Sequence, residues 1–136
     1  MPKLEKINRT QLLYLSILEN TQMNALDGER VAYGLINHVP DAWEACYLVN
    51  CDTVRRKDRK RFSSSLITLR DLSSGFHNAD MLVILTTEQH VDLLEERAMK
   101  AWGASTFHAY RGEEVEDMLR SSGTDQKHVI VTVWWD

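Results

Sequence analysis

Six of the sixteen basic residues of this 136-residue chain fall within seven consecutive positions: Arg55, Arg56, Lys57, Arg59, Lys60 and Arg61, with Asp58 the one acid among them. The run carries +5 while the whole chain carries −4, which leaves −9 on the remainder. Lysine and arginine packed this densely attract nucleic-acid phosphates, an acidic protein surface or the acidic body of a second copy. No aromatic side chain interleaves with the charges before Phe62, so little base stacking is expected from the run itself. The same residue types keep an exposed hairpin tip solvated and free of edge-to-edge aggregation. The charge alone therefore does not assign a function.

A second group of side chains would meet if the later strands of the chain ran parallel. Thr86, Thr87 and Glu88 follow one apolar run, Tyr110, Arg111 and Glu113 follow another, and Trp135 and Asp136 close a third. Ligands of open parallel sheets bind beyond the carboxyl ends of the strands, which makes Thr86, Thr87, Tyr110, Arg111 and Asp136 the candidate lining of a small-molecule pocket. Phosphate suits that edge poorly, because Glu88, Glu113 and Glu114 already place negative charge at the helix starts. The stretch Leu85-Thr86-Thr87-Glu88 is neither a Walker loop nor a dinucleotide fingerprint. Glu88, Glu113 and Asp136 have the chemistry of a Mg²⁺ site, yet helix-capping acids account for the same residues, and the expectation is no metal and no cofactor.

Nucleophilic catalysis finds no footing. Ser63, Ser64 and Ser65 stand in no G-x-S-x-G elbow, and Cys46 and Cys51 have neither zinc nor redox spacing. His77 and His108 are the best acid–base candidates, but a histidine alternating with Thr106 and Tyr110 along a strand reads first as a hydrogen-bonded, partly buried side chain. No catalytic residue is assigned. Trp134 and Trp135 adjoin at the end of an apolar strand, which puts one ring on each face of a sheet and makes the pair a candidate interface with a partner or second copy.

These groups must be positioned by the elements around them. Met81 to Leu85 is apolar without alternation, as in a strand covered on both faces. The helix that follows is bounded by Thr86 with Gln89 as a capping box and by Gly103 beyond its end, and it carries Val91, Leu94, Ala98 and Ala101 on one face with Trp102 beside them. Thr106 to Tyr110 reads as a strand, Gly112 to Gly123 as an acidic-fronted helix, and His128 to Trp135 as a last strand. Strand, crossover helix and strand predict a parallel unit. Earlier in the chain, Asn8 or Thr10 starts a helix with Leu12, Leu15 and Leu18 inward, widened by Leu13, Tyr14 and Ile17. Asp27-Gly28-Glu29 breaks or bends it, and a second helix ends before Pro40. Trp43 to Asn50 and Leu66 to Leu72 form a predicted antiparallel hairpin with the basic run at its tip.

The fold expected is thus α/β (or α+β): N-terminal helices, a β-hairpin, then a βαβαβ unit, forming one mixed sheet of about five strands in a single domain over residues 1–136. The opening element order resembles that of the PD-(D/E)-x-K nucleases. Those enzymes need an acid on the second strand and an acid-x-Lys on the third to hold a divalent metal. Here the third strand lacks that motif and the second offers only Arg70 and Asp71, so element order stands as an analogy. With 43% hydrophobic and 26% charged residues, and no run of eighteen apolar residues, a soluble cytoplasmic protein without membrane contact is expected. The leading functional expectation is a small non-enzymatic binding or adaptor protein acting through protein contacts, as a homodimer. The alternative is a nucleic-acid-binding, degenerate nuclease-like protein using residues 55–61, and the third is a small-molecule enzyme with the pocket named above.

Overall fold

The structure is a computed structural model that describes residues 7–50, 79–120 and 127–136. In chain order its elements are α1 (Arg9–Glu19), the short strands β1 (Gln22–Met23) and β2 (Leu26–Asp27), α2 (Gly28–Asn37), β3 (Ala45–Val49), β4 (Met81–Thr87), α3 (Glu88–Glu96) running on into a π-helical turn (Arg97–Ala101), β5 (Thr106–Tyr110), α4 (Glu113–Leu119) and β6 (His128–Trp134). The basic run 55–61 and the strand expected at 66–72 lie outside the described residues, as do Ser63 to Ser65, His77 and Cys51.

Asn8 starts α1 by accepting the Gln11 amide at 2.9 Å, which satisfies one of the donors a helix leaves unpaired at its start. The chain then turns through a two-residue hairpin whose tip, Asn24, sits at a positive φ of 55°, a conformation asparagine tolerates better than most residues. Asp27 caps α2, so the break expected at 27–29 separates two helices and does not bend one. Gly28 is required there. Its amide donates to the Thr21 carbonyl at 2.9 Å, and a Cβ would stand 1.8 Å from the Leu18 carbonyl oxygen.

Four strands form the main sheet in the order β3-β4-β6-β5, and every neighbouring pair is antiparallel. The parallel unit expected of the second half of the chain is therefore corrected. β4 and β5 do point the same way, joined through α3, but β6 lies between them and runs against both. The physical reason lies in burial. β6 is covered on both faces, with Val129, Ile130, Val131, Thr132 and Val133 all buried, whereas β5 is at best half-buried. A strand apolar on both sides belongs inside a sheet, and a short, half-polar one is tolerated at its rim.

The sheet separates two apolar clusters. On one face Leu82, Ile84, Val131, Val133 and Trp135 pack against Leu15, Leu18, Val31, Leu35 and Leu94 of the three long helices. On the other, Val49, Met81, Val83 and Ile130 meet Val115 of α4, with Leu85, Tyr110 and Trp134 at the margin. Among the described residues the second face is covered by one seven-residue helix. None of the described helices is long and apolar enough to cross a membrane.

Candidate functional site

That thin cover leaves a groove of about 430 Å³ on the second face, between α1, β3 and α4. Its floor is sheet: Ala45, Val83, Leu85 and Ile130. Tyr14 of α1 and Tyr47 of β3 form one wall, ring centroids 6.1 Å apart at 65°, and Met118 and Leu119 of α4 form the other. The edge-to-face approach is the favourable one for two aromatic quadrupoles.

One side chain sets where α1 lies against the sheet. The Gln11 carboxamide donates from Nε2 to the Cys46 carbonyl at 2.7 Å and accepts the Cys46 amide on Oε1 at 3.0 Å. Gln11 thereby does for β3 what a neighbouring strand would do, satisfying a backbone donor and acceptor together. The pairing fixes Tyr14, one turn further along the helix, beside Tyr47.

The outer surface of α1 continues the groove. At 100° per residue Leu13, Ile17, Thr10 and Tyr14 follow one another around the helix within about a quarter-turn. Leu13 is 57% exposed, Ile17 44% and Tyr14 43%, and Tyr47, Met118 and Leu119 are also exposed. Of the three leucines of α1 expected to point inward, Leu15 and Leu18 are buried and Leu12 is exposed. Leu13, Tyr14 and Ile17, which widen its apolar face in the sequence, widen it onto the surface.

The residues predicted for a pocket at the carboxyl edge of parallel strands are not brought together. The β4–β6 register pairs Thr87 with His128 and Met81 with Trp134, so Asp136 lies at the end of the sheet opposite Thr86, Thr87, Tyr110 and Arg111. Thr86 is buried and donates its hydroxyl to the Ala42 carbonyl at 2.6 Å. Thr87 occupies the N-cap of α3 with no side-chain capping bond, in place of the Thr86–Gln89 box expected there. Tyr110 packs at the margin of the second cluster and meets the exposed His108, ring centroids 4.5 Å apart. Arg111 grips Glu88 with two bonds, Nε to Oε2 at 2.6 Å and Nη2 to Oε1 at 2.8 Å. That fork holds the Glu88 carboxyl below its ordinary pKa and raises the guanidinium further.

The tryptophans do place one ring on each face, but Trp135 is fully buried and donates its indole N–H to the Trp102 carbonyl at 2.9 Å. It is core, not interface. Trp134 is half-buried and donates to Asp80 Oδ2 at 3.1 Å. The Cys46 side chain is buried. Among the described residues no group of three or more His, Cys, Asp or Glu side chains is arranged to hold a metal ion. No family model, curated protein or solved structure matches the chain. Sequence reading overlooked the groove because its residues come from five separate segments. The one signal available was α1 itself, which carries more apolar positions than a single buried stripe can use.

Proposed function

We propose that this chain is a non-enzymatic binding module that works through protein contacts and pairs with a second copy of itself. The observation that carries the proposal is the continuity of an exposed apolar ridge, Leu13 and Ile17, with an apolar groove walled by Tyr14, Tyr47, Met118 and Leu119. Large apolar side chains left contiguous on a surface mark a contact site. A ridge next to a groove on one chain is self-complementary under a twofold axis, since each copy can seat its ridge in the groove of the other.

The test is light scattering after size exclusion on the wild type and on Leu13→Asp combined with Ile17→Asp. The expected result is a wild-type dimer at micromolar concentration and a monomeric variant with unchanged circular dichroism. A wild-type chain that stays monomeric at about 100 µM, or a variant that stays dimeric, overturns the proposal. A second reading rests on the +5 run at residues 55–61: nucleic-acid binding through phosphates. It requires oligonucleotide retention that falls steeply with salt and disappears when Arg55, Arg56, Arg59 and Arg61 are changed to Gln.

A further inference from the structure

A second cavity, of about 440 Å³, opens between α2 and the π-helical turn and shares no residue with the groove. Its donors are uncommonly concentrated. Arg30, Arg97 and His38 all line it, with the ring of Tyr33 meeting His38 edge-on at 5.4 Å. Arg97 Nη1 stands 3.4 Å from His38 Nδ1 and Arg30 Nη1 stands 3.5 Å from the Ala101 carbonyl. Those long contacts occupy one nitrogen of each guanidinium, and among the described residues neither arginine forms an ion pair with a carboxylate. Because a guanidinium can only donate, a bond to His38 Nδ1 requires that nitrogen to accept, which leaves the imidazole proton on Nε2 as a further donor.

The acids of the cavity offset this in part, the charge of Arg30 acting on Asp27. Asp27 spends its carboxylate on the helix start, accepting the Arg30 amide at 3.4 Å and the Gln22 side chain at 3.1 Å on one oxygen. Glu29 is exposed in the first turn of the same helix. Beneath the arginines lies Trp102, 2% exposed, whose indole N–H has no acceptor among the described residues. Buried donors are rarely left unpaired. Gly34 lets the indole close on α2, since a Cβ there would stand 2.6 Å from Nε1.

We propose that this cavity binds a small organic phosphate monoester. Two guanidinium forks and an imidazole N–H match the charge and the three terminal oxygens of a phosphate dianion, where a single carboxylate would engage only one fork. The cavity is several times larger than a phosphate group and is flanked by the exposed ring of Tyr33, so the ligand carries an organic part that lies against that ring. The π-helical turn sets Arg97 at the rim of the cavity, with Trp102 Nα bonded to the Arg97 carbonyl at 3.1 Å. Single π turns inserted in α-helices recur at binding sites.

The experiment is calorimetric titration of the full chain with phenyl phosphate, ribose 5-phosphate and adenosine monophosphate, with phenol and inorganic phosphate as comparators. Saturable binding of at least one ester with a Kd of about 1 mM or tighter is expected, with inorganic phosphate weaker and phenol silent. Arg97→Gln and Arg30→Gln should each weaken the best ester by about tenfold, with the melting temperature of each variant showing that its fold is kept. Lys100→Gln, in the same turn but paired with Glu96 outside the cavity, should bind like the wild type. Failure of all three esters to bind, or binding that is unchanged in Arg97→Gln and Arg30→Gln, overturns the proposal. Because the oligomeric state is read separately, this outcome is independent of the fate of the dimer.

Discussion

Replacing Gly28 by alanine tests the corner on which both N-terminal helices turn. The added Cβ would meet the Leu18 carbonyl oxygen at 1.8 Å and the Thr21 carbonyl oxygen at 2.5 Å, and ordinary contact begins only at 3.4 Å. Both opposing atoms are backbone, so no side chain can swing aside. The helices must part by about 1.6 Å at that point, and the Gly28 amide then loses its 2.9 Å bond to Thr21. Overpacking of a filled site costs about 1–3 kcal/mol and the lost hydrogen bond about 1 kcal/mol. The expected destabilisation is about 3 kcal/mol, or a melting temperature lower by about 10 °C for a chain of this size. The control is Gly103→Ala. Gly103 has a positive φ of 66° but nothing within 4 Å of a built Cβ, so it should lose only about 1 kcal/mol of backbone preference. Urea titrations of the two variants, read by circular dichroism, give both numbers. Equal losses would mean that the backbones of α1 and α2 do not approach as described, and the reasoning would fail.

Two further outcomes are expected. Gln11→Ala removes the carboxamide that pairs with both backbone groups of Cys46; a loss of about 1–2 kcal/mol and faster aggregation on shaking are expected, measured by urea midpoint and turbidity, and an unchanged midpoint would show that β3 does not depend on Gln11. Arg111 depresses the pKa of Glu88 from its ordinary 4.5, so the stabilisation that this pair supplies is present above that value and is lost as the pH falls through the depressed one. The urea midpoint of Arg111→Gln should therefore lie below that of the wild type at neutral pH and converge with it in acid, as Glu88 becomes protonated; a gap that persists in acid would assign Arg111 some role other than pairing with Glu88.

Much of the fold can be read from local pattern. The buried run at Met81–Leu85, the helix ending before Gly103, the strand at Thr106–Tyr110 and the stop before Pro40 all stand where period, caps and breakers place them. Pairing is different. The succession of strand, helix and strand fixes that β4 and β5 point the same way, but whether they touch depends on what β6 does more than seventeen residues later, and a two-residue side-chain period says nothing of neighbours. The direction of β6 then decided the fate of Asp136, which a parallel strand would have delivered to the same edge as Arg111. The two tryptophans show the reverse limit. Alternation gave their faces correctly, while the burial of Trp135 depended on Trp102, thirty-three residues away, offering a carbonyl. The approach of His38 to Arg97 is likewise a product of tertiary packing between α2 and the end of α3.

The insertion of β6 between β4 and β5 has a consequence for the order of events during folding. Synthesis proceeds from the N-terminus, so β4 and β5 emerge while the strand that separates them is still unmade. Until residue 134 is available, each presents an unsatisfied row of amides and carbonyls toward a gap, and neither can close it by pairing with its parallel counterpart without excluding the strand that belongs there. Such open edges are where nascent chains associate with one another. A sheet in which an inner strand is the last of its four in the chain cannot close until that strand docks between its neighbours.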